Sequence, residues 1–454
     1  MAVAAAAYAA GFSTLSVLRD DAFETGRFDL GNMVQVVWST AHGHFLRMTN
    51  TQGEQVSRLA AHVDPILALF APLWWIWPSP DMLLVVQAVA VASGAFPVFA
   101  LARKHLASER AAVGFALVYL VLPAVQWLTL NEFHPVALAC PLLLFAFRYL
   151  DDDRLVPFAV FALLAAATKE EISLVVAGFG VWYALARRRR AAGAGILAAG
   201  AIWFALAVAV VVPHFNAGGT SSFYYRYREV GGSPGGLLRT AVTHPLRIVD
   251  KAFDHRSLRY LADLAIPLAG LFLAAPLVLV AALPELGLNL LSSTKTQTSI
   301  HFHYTAGLVP PLVVASVLGA ARLAGGNRRR AAVIAAVALA VALVENVRLG
   351  AMFKTPVTAS RHDRIAAHAA RLVPDDAVVS ATNTLGAHLS ARRRILSFPR
   401  LEGARWVAVD ATRLSYLDRS SGGKPAARAL ALLRRNPHWR LVYARDGVLI
   451  FRAS

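Results

Sequence analysis

Cysteine and acidic residues are scarce in this chain. One cysteine, Cys140, occurs in 454 residues. It lies inside an apolar run, which excludes an internal disulfide and any multi-cysteine metal site. Charged residues make up 16% of the chain against 57% hydrophobic, and the mean hydropathy is +0.52, outside the usual range of soluble globular domains. Residues 1–18, MAVAAAAYAAGFSTLSVL, have no basic n-region and no convincing cleavage site ahead of RDDAFE, so they read as a first membrane helix rather than a cleaved signal. Acidic residues number 27 against 45 Lys and Arg, a formal net charge of +18. In a soluble protein that excess would point to nucleic acid. Here no nucleic-acid motif accompanies it, and the arginines fall in short runs between apolar stretches, where they mark topology. The sequence therefore predicts an α-helical polytopic membrane protein with no nucleic-acid partner.

Crossing a bilayer takes about 17–25 apolar residues per helix. Candidate spans are 80–102, 111–130, 135–150, 155–168, 172–186, 192–213, 306–323 and 331–347. The loops 102–110, 187–190 and 326–330 are rich in Arg or Lys and belong on the cytoplasmic side by the positive-inside rule, and the even spacing of helices places DDDR (151–154) there with them. Two stretches break the simple count. HVDPILALFAPLWWIW (62–77) is short and Trp-rich, and reads as a helix lying along the membrane surface. Residues 260–292 carry Pro267, Pro276 and Pro284, which predicts broken short helices. The total is about 9–11 spans with interfacial helices. Residues 1–350 form the membrane domain, with outer loops at 19–79 and 214–259. Residues 351–454 read as a small α/β domain. It has a hairpin around Asp446-Gly447, and helix parity places it outside the cytoplasmic membrane of a prokaryote.

Apart from the arginine runs, the polar clusters that interrupt the apolar runs nearly all map to the outer ends of the predicted helices: RFDLGN (27–32), AHVDP (61–65), NEFHP (131–135), TKEE (168–171), FYYRYRE (223–229) and IHFHY (300–304). Ionisable groups near membrane depth are costly and point to function. The candidate binding residues are His62, Asp64, Glu132, His134, Lys169, Glu170, Glu171, Arg226, Arg228, His301, His303 and Tyr304. Each has a plainer role open to it. Asp29 would serve as N-cap to a helix beginning at Leu30, His62 and Asp64 would fix the chain before Pro65, and YYRYR would be a solvated loop. Lys169, Glu170 and Glu171 have apolar sequence directly on both sides, so their charges must pair with one another or with a ligand. His301 and His303 alternate, and a divalent metal is the candidate cofactor there, although no third ligand is defined.

The ordered series FDLGNMVQ, HVDPILALFAPL, FHPVAL, KEEISLVVAG, HFHYTAGLVPPL and VVSATNTLGAHLSARRRI resembles a family of predicted multi-pass bacterial and archaeal membrane proteins of unknown function. The layout is also similar to that of the GT-C superfamily of membrane glycosyltransferases, which includes protein O-mannosyltransferases and aminoarabinose transferases. That resemblance implies a sugar donor carried on a polyprenyl phosphate, a catalytic acidic residue in the first outer loop, and surface-lying helices. Asp29 and the segments 30–41 and 62–77 match these features. The Asp-Glu pair of the mannosyltransferases is replaced by Asp29-Leu30. The chemistry fits on its own terms. Transfer to a hydroxyl needs a carboxylate to take its proton and cations to stabilise the departing phosphate, and membrane lipid would surround the prenyl tail. A transporter or lipid flippase is the alternative, as is a non-catalytic scaffold. A transport pathway would require polar groups through the midplane, where this sequence has Ala, Leu, Val and Phe.

Overall fold

The computed structural model describes residues 1–217, 219, 222–352, 354, 358–420 and 426–454. The predicted outer loop 214–259 and the predicted domain 351–454 therefore each include a few positions outside the described residues. Four described helices are long and apolar enough to cross a membrane: Ala2–Asp21, Pro80–Leu106, Arg190–Phe215 and Arg328–Leu349. Helices Glu109–Val121 and Pro123–Leu130 meet at a bend of 48°. Pro123 cannot donate to the preceding turn, which accounts for the break. Other apolar helices are too short to be counted on length, among them Leu155–Ala166, Ile172–Ala186 and Val309–Ala324; Ile172–Ala186 packs against Arg190–Leu206, and Val309–Ala324 against Ala95–Leu106 and Arg328–Leu349.

Proline shapes residues 260–292 as predicted. After helix His255–Ala265 the chain runs through single turns at Ile266–Leu268, Leu271–Ala274 and Pro276–Ala281 before helix Leu283–Leu290, and Pro267, Pro276 and Pro284 each stand in the first positions of a turn. Residues 65–76 form a turn of 3-10 helix continued by helix Ala71–Ile76. Leu67 and Trp74 are buried there while Trp75 and Ile76 are exposed, the one-sided apolar display of a segment at a membrane surface.

Helix Ile172–Ala186 and helix Arg190–Leu206 lie unusually close. A Cβ on Gly200 would come within 2.4 Å of the Ser173 carbonyl oxygen, and one on Gly180 within 2.6 Å of the Leu197 nitrogen. Small residues permit the tight backbone approach on which helix pairs in lipid depend.

The C-terminal region carries strands β3 (Val379–Ala381), β4 (Ile395–Ser397), β5 (Trp406–Asp410), β6 (Trp439–Arg445) and β7 (Val448–Ala453). The earlier strands β1 (Arg47–Thr49) and β2 (Gln55–Ser57) form a separate two-stranded ribbon. The five-stranded order is β4-β3-β5-β7-β6, parallel around β3 and antiparallel from β5 onward. The hairpin at Asp446-Gly447 forms as expected, with both residues at positive φ, the geometry that an Asp-Gly pair favours.

The first loop is fastened on two sides. Leu30, Val34 and Val37 pack with Leu67, Leu83 and Phe133, and Phe23 joins Ile365, Val379 and Leu385 in the core beneath the sheet. Arg27 is fully buried and donates to the Ser397 hydroxyl and to the Thr49 and Ile395 carbonyls at 2.5, 3.0 and 2.9 Å. Arg27→Met keeps the stem but strips the donors. Each buried acceptor left unpaired costs roughly 1–3 kcal/mol, so the expected result is a lower thermal midpoint in detergent, read by scanning fluorimetry.

Candidate functional site

Residues 27–31 form a turn of π-helix, RFDLG, that begins two residues before Asp29. Asp29 is therefore not the N-cap. The turn is held instead by Glu132, whose Oε2 accepts from the backbone N–H of Gly26 at 3.0 Å and of Leu30 at 2.9 Å. Glu132 has a positive φ of 50°, which costs energy for a residue with a side chain. Buried Gln87 holds that geometry by donating to the Thr129 carbonyl at 2.9 Å and to the Glu132 carbonyl, while its Oε1 accepts from the His134 N–H at 2.9 Å.

Freed from capping, the Asp29 carboxylate turns to His134, with Nε2 3.3 Å from Oδ1. His134 Nδ1 lies 2.8 Å from the Asn131 carbonyl oxygen. A carbonyl only accepts, so Nδ1 carries a proton and Nε2 is the nitrogen turned to Asp29. The Asp29 side chain retains 53% of its accessible surface. Burial by itself would raise its pKa. The hydrogen bond and field of His134, with Arg58 and Arg226 beyond, override this and hold the carboxyl below the usual range.

Around this pair the predicted residues assemble into a chain of contacts. The His303 ring stacks on His134 at 3.8 Å and its Nδ1 lies 3.2 Å from Asn131 Oδ1. Burial, with His134 and Lys169 nearby, drives the His303 pKa well below its usual value, so this imidazole is neutral. Tyr304 adjoins His303 and sits under two cations, Lys169 at 5.6 Å and Arg226 at 5.7 Å from its ring centre. Arg226 also lies over Phe223 at 4.6 Å and donates to the Tyr304 hydroxyl at 3.2 Å. Phe223 in turn stacks on His62.

The acidic and basic members differ in what remains available. Lys169 is ion-paired with Glu171; burial would lower its pKa, but Glu171 and Glu170 raise it. Glu170 accepts from the Val63 N–H and pairs with His62 Nδ1, both at 2.9 Å. Burial would raise its pKa, but His62 and Lys169 bring it down to about 2. Buried Asp64 is bound by Arg58 at 2.7 Å. Arg226 forms no ion pair among the described residues, and its buried Nε has no hydrogen-bond partner.

Two predicted residues stand apart. Arg228 is exposed. His301 packs edge-on against Trp127 and contacts Ser299, because the chain turns into a 3-10 helix at His303 and the alternation ends there. Among the described residues no three His, Cys, Asp or Glu side chains are grouped to hold a metal ion. Sequence reasoning missed Arg58, Gln87 and the roles of Asn131 and Phe223. Gln87 was the readable one, as an amide inside an otherwise apolar span.

Glu132 is the second titratable group of the Asp29 turn. Burial, followed by the charge on Asp29, raises its pKa from the ordinary 4.5 to about 8. A carboxyl raised in the folded state binds its proton more tightly there than when unfolded, so its contribution to stability is complete below about 4.5 and is lost as pH rises through about 8. Glu132→Gln keeps an oxygen that accepts both backbone N–H groups and removes the titration. Thermal midpoints measured from pH 5 to 9 are expected to fall less steeply for this variant than for the parent.

The architecture is a GT-C fold, the class of integral membrane protein to which the sequence pattern pointed. The crystal structure of ArnT from Cupriavidus metallidurans bound to undecaprenyl phosphate superposes with a TM-score of 0.56 at 14% identity, over 99% of this chain and 97% of that one. The apo structure of the same enzyme gives 0.51 at 13% identity, over 93% of each chain. Residues 19–450 match the family described as "Predicted membrane protein (DUF2079)", and the chain belongs to that family. No protein of curated function matches it.

Proposed function

We propose that this protein is a membrane glycosyltransferase that moves a sugar from a polyprenyl-phosphate-linked donor to an acceptor hydroxyl on the extracytoplasmic face. The observation that carries the reading is the pairing of an accessible, ionised Asp29, braced by His134, with a guanidinium at Arg226 that forms no ion pair among the described residues. The solved neighbour bound to undecaprenyl phosphate supports a lipid phosphate as the carrier. In the proposed step the acceptor oxygen forms a bond to the anomeric carbon and Asp29 takes its proton. The bond from that carbon to the phosphate oxygen breaks, and the phosphate leaves with the electron pair, stabilised by Arg226. His134 orients Asp29. Lys169 and Glu171 neutralise each other and serve to shape the turn that carries Glu170. His62, Glu132, His303 and Tyr304 line the same site.

The reading also fixes sidedness, with residues 1–350 as the membrane domain, residues 351–454 outside, and a prokaryotic cytoplasmic membrane around the protein. Cysteines replacing the exposed Arg228 and Arg445 in a Cys140→Ala background are expected to react with an impermeant maleimide added to intact cells. Reaction only after access to the cytoplasm would overturn the placement. The activity is tested by incubating purified protein in nanodiscs with a radiolabelled polyprenyl-phosphate sugar and total cell-envelope acceptors. Label moving out of the lipid fraction supports transfer, and label retained in it opposes transfer.

A further inference from the structure

A second polar recess lies in the C-terminal region and shares no residue with the cluster around Asp29. Helix Arg361–Ala370 and edge strand β6 flank an open recess of about 290 Å³ lined by Arg361, Arg364, Ile365, His368, Tyr443 and Arg445. The three arginines are exposed. The nearby carboxylates are all committed to other partners. Asp363 caps its helix and binds Arg413 at 2.6 Å, Asp410 binds His362 at 2.8 Å, and Asp446 binds the other nitrogen of His362 at 3.0 Å. Three guanidiniums thus face one recess, and none forms an ion pair among the described residues. The rest of the wall is aromatic and apolar, with the His368 and Tyr443 rings 5.6 Å apart above a buried Ile365.

We infer that this recess is a binding site for a phosphorylated saccharide, its phosphate held by Arg361, Arg364 and Arg445 and its ring set against Tyr443 and His368. Planar guanidiniums bind phosphate oxygens in bidentate pairs, and an aromatic face packs against the apolar C–H face of a pyranose. The cavity volume suits one sugar with its phosphate. The recess also lies close to the first loop, since Ile365 on its floor packs in the same core as Phe23, six residues before Asp29. The choice of a saccharide over other phosphate esters rests on the transfer reading, whereas the anion site itself does not.

The test uses the full chain in zwitterionic nanodiscs, titrated calorimetrically with glucose 1-phosphate, glucose, inorganic phosphate and adenosine monophosphate. Glucose 1-phosphate is expected to bind, glucose is not, and the affinity should fall as salt is raised. The double variant Arg364→Gln/Arg445→Gln should weaken binding by about tenfold or more, the loss expected for charge-assisted hydrogen bonds. Tyr443→Ala should weaken the sugar phosphate more than inorganic phosphate. The Asp29→Asn variant should bind like the parent, so failure of the transfer reading would leave this result standing. Equal binding by the arginine variant, or tighter binding of adenosine monophosphate than of glucose 1-phosphate, would overturn the proposal. So would arginine-dependent binding to phosphatidylglycerol vesicles with no response to the sugar phosphate.

Discussion

Asp29→Asn is expected to lower sugar transfer by roughly 10²–10⁴-fold, the contribution usual for a positioned general base, while leaving the thermal midpoint close to that of the parent. The substitution is nearly isosteric and the side chain is half-exposed, so packing is undisturbed. What changes is proton inventory. The carboxylate lies 3.3 Å from His134 Nε2 and can take a proton, whereas an amide has no basic oxygen to receive one from the acceptor. The loss should fall on kcat, with the donor KM little altered, because the proposed role of Asp29 is on the hydroxyl and not on the lipid. Transfer at the parental rate in a defined donor assay would remove Asp29 from the chemistry. Equal loss in His134→Ala and Asp29→Asn, with no further loss in the double variant, would show that the two act as a unit.

Arg226→Ala is expected to have the next largest effect, a drop of about 10²–10³-fold in kcat/KM for the lipid donor, comparable to removing one preorganised charge-stabilising donor elsewhere. Both the ground-state phosphate and the departing one need this cation, so donor KM rises and kcat falls together. Arg226→Lys tests geometry separately from charge. The ammonium keeps the positive charge but loses the planar group lying over Phe223 and Tyr304, so it should restore only part of the activity. A full recovery would mean that charge alone suffices. An unchanged donor KM in the alanine variant would place the phosphate elsewhere in the cluster, against Lys169 or Arg58.

How far the sequence revealed this site depended on the kind of signal. Lys169, Glu170 and Glu171 stood out because charges with apolar sequence on both sides must find partners, and Glu171 and His62 proved to be among them. The Asp446-Gly447 hairpin was legible because two positive-φ residues are needed there and the sequence supplies a pair that accepts them. The capping role open to Asp29 failed on a shift of three residues. The turn starts at Arg27, and its amides are bound by Glu132 from more than a hundred positions away, a contact no local pattern records. Arg27 and Arg58 were invisible for a different reason. In a chain with this many arginines, one that locks a fold and one that marks a loop have the same local appearance. His301 and His303 were paired by alternation, which holds only while the chain stays extended.

The close seating of Gly180 and Gly200 has a consequence for how the protein would sense its surroundings. Lipid gives no hydrophobic reward for bringing two helices together, so the lipid-facing helix Arg190–Leu206 is retained by shape alone. Its neighbour begins at Ile172, directly after the Lys169–Glu171 turn. Bilayer thickness and lateral pressure act on that loosely rewarded seam, and a methyl group at Gly200 would act on it in the same way. The proposed transfer should therefore vary in rate with acyl-chain length even when donor, acceptor and every polar side chain are held constant.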